Sequence, residues 1–553
     1  MNVEKNISIN TLPQRWFNNF PHDFSLILFW MVTGATIRFT NLTSKPPWTD
    51  EFATLVFSLG NNYASIPLNQ VISLDMLLQP LKPNPDASIT DVFSLLVNED
   101  NHPPLYFMLA HWWLQLFPST EYVSLWAARS LPVCFAVISI PAIYLLGRLA
   151  FNRQVARCAA AMIAVSPYGV FLAQEARHYS LAILLVIASL ICLIVAIKYL
   201  CHATILPHWL ILVWTGINLL GLGVHYFFCL TLLAQAMALL FKFRSGIKFN
   251  NWLRLGMVAA GTIIPGFLWI FLILPQDYGN EMTDWIRHDQ NTILTFISPI
   301  FQALATWITM LSLLPVESSS FWVMVISVLV MIMFFVWALP LLFWGISIPP
   351  LAKKFKLSRD ILGGFVVSAI ALFFILTYFF GIDLTRGARY SFVYFPGVII
   401  LLGASLATLW KHKKKNTVII IFLMALFSSI TVCYNLGYQK YYRPDIFISI
   451  INNHSSVPVL IATTHKTLVQ TGEMMGIARE LKQQHSLTQT AFLLVKQSPI
   501  ATKILHQAIT EMSRPFDLWM VNFYAPVAIN NCVADASNLP PVNGYNYQLY
   551  HCN

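Results

Sequence analysis

The sequence predicts a polytopic α-helical membrane protein of about eleven transmembrane helices, with a small C-terminal α/β domain behind them. Of its 553 residues, 57% are hydrophobic and 10% charged. Soluble chains carry about 25% charged residues. Mean hydropathy is +0.63. Forty Phe, 17 Trp and 20 Tyr suit a chain that meets the membrane interfaces many times. The net charge of +10 sits in short clusters between apolar runs, a positive-inside pattern and not a basic face for nucleic acid.

An apolar run of about 20 residues crosses a bilayer as a helix. Such runs fall at about 24–40, 127–148, 155–173, 179–200, 207–223, 226–242, 254–275, 321–346, 362–380, 390–410 and 417–434. No small-residue cleavage site follows the first, which reads as a retained span. Basic residues crowd four connections: Arg148, Arg153 and Arg157; Lys242, Arg244, Lys248 and Arg254; Lys353, Lys354, Lys356 and Arg359; and Lys411, Lys413, Lys414 and Lys415. All four are expected in the cytoplasm, with the N-terminus. Counting the apolar stretches 104–117 and 292–314 as crossings would put some of these clusters outside. Both therefore read as helices in the outer interface.

The outer side then receives the loop 41–126 and the segment from about 435 to 553. This division separates a transmembrane module, 1–434, from an extracytoplasmic domain, 435–553. In the tail, strands are expected at Val457–Thr463, Thr490–Val495, Phe516–Tyr524 and Tyr545–His551, and helices at Lys466–Gln484 and Ala501–Met512. Alternation of this kind argues for an α/β domain. It has no glycine-rich phosphate loop. Six of the eight cysteines lie in or beside apolar segments; only Cys532 and Cys552 stand in polar sequence. Pro540, Pro541 and Gly544 between them allow a turn, and a disulfide is expected there, worth about 3 kcal/mol by loop closure.

Polar residues gather where the spans meet the outer face: Trp48-Thr49-Asp50-Glu51, Asp100-Asn101-His102-Pro103-Pro104, Glu175-Ala176-Arg177-His178-Tyr179, His225-Tyr226, and Arg386 with Arg389-Tyr390. Each has an ordinary explanation taken alone. An acidic pair in a loop is usually solvated, and an Arg-Tyr pair can be an interfacial anchor. Their joint placement on one face suggests a single site.

The strings TDE at 49–51, HPPLYF at 102–107 and EARHYSLA at 175–182 resemble the polytopic glycosyltransferases that use lipid-phosphate sugars. These include the protein O-mannosyltransferases and the aminoarabinose transferases, which share the GT-C fold. Arg389-Tyr390 followed by Pro396 resembles the family's late Arg-Tyr motif. The resemblance covers about residues 20–435 and is most specific within 45–182. It implies transfer of a sugar from a polyprenyl phosphate to an acceptor protein, glycan or lipid at the outer membrane face. Asp50 matches the family's proposed base, with Glu51 binding sugar or acceptor or orienting an arginine. Arg389 and Arg177 would face the leaving phosphate, assisted by His225. His102, Glu175, Tyr179 and Tyr390 fall in the same donor-binding motifs. A single base opposite the phosphate implies inversion.

Asp50, His102, Glu175 and His225 are ligand types for a divalent metal ion, but no compact HExxH spacing accompanies them. A metal stays open. Aminoarabinose transferases carry a carboxylate a few residues past the arginine, where this chain reads His178-Tyr179-Ser180-Leu181-Ala182-Ile183, so that specificity is not implied. The alternatives are a lipid-linked-sugar flippase or transporter and an inactive scaffold. A transporter needs charges at mid-depth, whereas these spans are nearly charge-free in their middles.

Overall fold

The computed structural model describes residues 20–100, 102–243, 248–272, 285–288, 292–347, 355–484, 489–526, 529 and 532–553. Arg244, Lys353 and Lys354 of the basic connections lie outside these residues.

Each of the eleven apolar runs contains helix. Among the described residues, six helices are long and apolar enough to cross a membrane by themselves, and a bent pair makes a seventh: Leu125–Ala150, Tyr179–Cys201, Phe249–Phe271, Phe321–Ser347, Lys356–Phe380, Lys415–Cys433, and Arg153–Val165 with Pro167–Ala173. The chain is an integral membrane protein. His208–Val224, Phe228–Lys242 and Phe395–Lys411 are shorter apolar helices, as is Ile293–Thr309, so helix length alone does not yield eleven crossings. Leu105–Gln115 is a short helix beside the bundle.

The stretch expected as one span at 155–173 bends by 54°. Pro167 is the cause. It has no N–H to give the carbonyl four residues back, and the Arg38 guanidinium takes that place, donating to Ile163 O at 2.9 Å and Ala164 O at 2.8 Å. Arg38 is 1% exposed, an arginine used to satisfy backbone at the end of a span. The opposite end of the first helix, Phe20–Phe39, carries Asp23, which pairs with Arg153 and, at 2.7 Å, with Arg157. Lys242 and Asp360 pair at 2.7 Å. These contacts collect basic connections at the bundle end away from Asp50.

The span expected at 390–410 begins as a 3-10 turn, Ala388–Val393, and becomes an α-helix only at Phe395–Lys411. Pro396 sits in the first helical turn, where its missing N–H costs nothing.

The tail forms a sheet of order β1-β3-β2-β4-β6-β5. Its strands are β1 (Val71–Ser73), β2 (Val459–His465), β3 (Thr490–Lys496), β4 (Phe516–Val521), β5 (Val533–Ala534) and β6 (Tyr547–Cys552). β2 pairs in parallel with β3 and β4, through the crossover helices Leu468–Gln483 and Ala501–Glu511; β6 runs antiparallel to β4. Boundaries differ from the expected ones by at most three residues, and Thr490, Ala501 and Phe516 begin their elements as expected. Pro444–His454 adds a helix that the pattern did not announce. Cys532 and Cys552 are joined in a disulfide, with Cα atoms 4.2 Å apart.

The tail does not build this sheet alone. β1 belongs to the first loop and pairs antiparallel with β3, Ile72 opposite Phe492. Loop and tail also share one apolar core, in which Phe52, Leu55 and Phe57 meet Met474, Ile477 and Trp519. At Gly472 an added Cβ would lie 3.2 Å from Thr49 Cα. That close approach fixes the Leu468–Gln483 helix against the start of Thr49–Ser58.

Candidate active site

Pro46 and Pro47 hold the chain extended, and Trp48 (φ −105°, ψ 172°) begins the helix Thr49–Ser58. The acidic pair lies in its first turn, where carboxylates favour the positive helix end. Successive residues on a helix point about 100° apart. Asp50 and Glu51 therefore face different surroundings.

Glu51 turns inward. Arg129 grips its carboxylate with two bonds, 2.8 and 2.9 Å, and Ala176 N–H donates to it at 2.7 Å. Both side chains are 0% exposed. Arg129 also donates to the carbonyls of Leu42 and Lys45, each at 2.9 Å. This clamp joins the exit of the first helix, the acidic helix, the Leu125–Ala150 helix and the turn before Tyr179. Burial pushes the Glu51 pKa up, but Arg129 and Lys440 outweigh it and hold it at about 2. Lys440 pairs with Glu175 and lies 3.9 Å from Glu51. Of the roles open to Glu51, orienting an arginine suits this burial and sugar contact does not. Glu175, 3% exposed, likewise belongs to the clamp.

Asp50 turns to the open side, its side chain 30% exposed. Its Oδ2 lies 3.7 Å from Arg177 and 3.8 Å from Arg389. Arg177 is 1% exposed and held through its two terminal nitrogens, its Nε being buried without a partner among the described residues. It donates to Asp50 O and Thr54 Oγ1, each at 2.9 Å, and to His102 Nε2 at 3.0 Å. His102 can accept there because its other nitrogen faces Asp100 at 2.8 Å, which sets the tautomer. Asp100 thus orients His102, His102 orients Arg177, and Arg177 flanks Asp50.

Arg389 is held differently. Its guanidinium lies 4.6 Å from the Trp48 ring centre, 4.9 Å from Trp285 and 5.2 Å from Tyr390, an aromatic cage in which the side chain stays 19% exposed. Tyr168 donates to the carbonyls of Ala388 and Arg389 at 3.0 and 3.2 Å, pinning the turn. The Arg389 Nε is buried without a partner among the described residues. Beside it, His225 packs 4.7 Å from His178, 5.8 Å from Tyr179 and 6.0 Å from Tyr390, ring centre to ring centre. His225 Nδ1 accepts from Phe227 N–H at 3.0 Å. Burial first, then Arg177 and the neighbouring histidines, push both His178 and His225 well below the ordinary histidine pKa. Both ring nitrogens of His178 are buried without partners among the described residues.

The four residues weighed as metal ligands are engaged elsewhere. His102 spends both nitrogens on Asp100 and Arg177, Glu175 pairs with Lys440, Asp50 stands between two arginines, and His225 Nδ1 accepts from Phe227 N–H. Among the described residues no three His, Cys, Asp or Glu side chains gather as a metal site.

No family model matches the sequence, and no curated protein matches it. Solved structures do resemble it. ArnT from Cupriavidus metallidurans, bound to undecaprenyl phosphate, superposes over 95% of this chain and 97% of its own, at 10% identity and a TM-score of 0.51. In the apo state it covers 96% and 98%, again at 10% identity and 0.51. The chain has the GT-C fold. The oligosaccharyltransferase of Archaeoglobus fulgidus in the apo form covers 92% of this chain and 70% of its own, at 12% identity and a TM-score of 0.49.

Several residues around the site of this GT-C chain escaped the sequence reading. Arg129 had a signal: an arginine within an apolar helix is costly and needs a partner. Asp100 and His178 stood inside strings already singled out. Lys440 and Trp285 had no signal, because nothing local marks a residue whose partner lies far along the chain.

Proposed function

We propose that the chain is a membrane glycosyltransferase that moves a sugar from a polyprenyl-phosphate donor to an acceptor protein, glycan or lipid. The observation that carries this reading is a half-open carboxylate flanked by two arginines at one end of an apolar helix bundle. The binding of undecaprenyl phosphate by ArnT, which shares the fold, supports it.

In this reading Asp50 accepts the proton of the acceptor hydroxyl or amine. The freed lone pair attacks the anomeric carbon while the bond from that carbon to the phosphate oxygen breaks. Its electron pair leaves on the lipid phosphate, and the configuration inverts. Arg389 meets the new phosphate charge, since its side chain is 19% exposed where that of Arg177 is 1%. Arg177 positions Asp50 and adds its field. Neutral His225 and His178, with Tyr179 and Tyr390, line the donor side. A transporter would use charged groups midway along facing helices, and here they gather at one end.

Arg389→Ala tests the donor assignment. Loss of a charged hydrogen bond to phosphate is worth about 1.5–3 kcal/mol, so the KM for a radiolabelled polyprenyl-phosphate sugar should rise roughly 10- to 100-fold. Unchanged KM and kcat would remove Arg389 from the phosphate site.

The site and the tail are assigned to the outer face by the basic connections. A single cysteine placed in loop 41–100 should react with an impermeant maleimide added outside, and one placed at 411–415 should not. Reversed labelling would overturn the orientation.

A further inference from the structure

A crevice of about 610 Å³ opens in the tail domain, apart from the arginine-flanked site. Thr464 reaches it from the end of β2, Gln497 from just beyond β3, and Asn522 and Tyr524 from just beyond β4. The chain leaves β2 to build β3 on one side and returns to build β4 on the other. At the carboxyl ends of β2 and β4 the connections diverge, and this is where open α/β sheets receive ligands.

The lining tells what kind. Tyr441 and Tyr524, 70% and 68% exposed, offer ring faces, with Tyr442 and the buried Tyr545 behind them; Gln497 and Asn522 offer carboxamides, Glu473 a carboxylate and Lys466 an ammonium group. Glu473 is 5% exposed and accepts from Asn522 Nδ2 at 3.2 Å. The Tyr545 hydroxyl is buried and has no partner among the described residues, although its residue lines the crevice. A buried hydroxyl left unpaired is costly, and a ligand oxygen would satisfy it.

Phosphate is poorly served here. The start of the Leu468–Gln483 helix is closed by its own side chains: Thr467 accepts from Val469 N–H at 3.4 Å, and Gln470 accepts from Lys466 and Thr467 N–H at 3.1 and 2.7 Å. An anion would meet Glu473 as well as Lys466, so the lining carries no net positive charge to hold it. Ring faces combined with amide and carboxylate groups instead suit a neutral polyhydroxyl ligand, whose C–H faces stack on tyrosine while its hydroxyls pair at the edge.

We propose that this crevice binds a saccharide, as a second carbohydrate site distinct from Asp50. Behind it, Glu473 and Tyr545 also line a small gap with Pro47, Trp48 and Thr49 of the first loop. A glycan held there is anchored on the domain that supports the acidic helix. The proposal requires binding and does not depend on catalysis at Asp50.

The full-length chain in detergent is applied to an array of neutral oligosaccharides built from mannose, glucose, galactose and N-acetylhexosamines. The parent should retain at least one of them. The double variant Tyr524→Ala, Tyr545→Phe should lower that retention at least tenfold while its melting curve stays unchanged; Tyr524 is 68% exposed and the second change removes only an unpaired hydroxyl. Asp50→Asn should bind like the parent even where transfer is lost, which separates this site from the reaction. Failure of the parent to retain any of these saccharides, or retention by the double variant within tenfold of the parent, would overturn the proposal.

Discussion

Asp50→Asn is expected to lower kcat about 100-fold or more while expression and melting stay near those of the parent. Asparagine keeps the size and loses the proton acceptor. The structural cost is small because Asp50 meets its arginines only at 3.7 and 3.8 Å, beyond hydrogen-bond distance, with its side chain 30% exposed. Arg177 keeps its bonds to the Asp50 carbonyl, Thr54 and His102, so the flanking geometry survives. Single-turnover transfer from a radiolabelled donor is the measurement. Activity within threefold of the parent would remove Asp50 from the base role.

The neighbouring residue should behave in the opposite way. Glu51→Ala leaves the Arg129 guanidinium buried without its carboxylate, and breaking a buried pair from one side costs about 3–5 kcal/mol. The expected result is a large loss of folded protein in the membrane and a much lower melting temperature. Glu51→Leu with Arg129→Met should recover part of the stability, because an apolar pair replaces the ionic one. Full recovery is not expected: Arg129 also satisfies the carbonyls of Leu42 and Lys45. A Glu51→Ala protein that melts like the parent and has lost only turnover would return Glu51 to the chemistry. The pH sign follows from a depressed carboxylate. The clamp's contribution is complete above the ordinary glutamate range and disappears as pH falls through it towards about 2.

Much of the bundle was legible because span length and apolar composition are local properties. The strings around Asp50, His102, Arg177 and Arg389 could be grouped in the sequence because three separate outer connections carry them to the same end. Their division of labour was not. Asp50 and Glu51 are adjacent letters, and only the helical turn sends one to the open side and the other into Arg129. The bend at Pro167 was visible as a proline, but its partner Arg38 belongs to a different helix. The first loop's strand β1 is three residues long, too short for alternation to announce it.

That short strand carries a consequence for biogenesis. β1 and the acidic helix leave the ribosome early, yet their partners β3 and the Leu468–Gln483 helix are made near the end of the chain. Domains usually mature from the N-terminal side during synthesis; here the loop bearing Asp50 must wait. Lys440, which reaches back to Glu175, also arrives late. A nascent or prematurely ended chain therefore holds its carboxylate on a loop without its backing, and the arginine-flanked cluster is complete only once translation has passed the last spans.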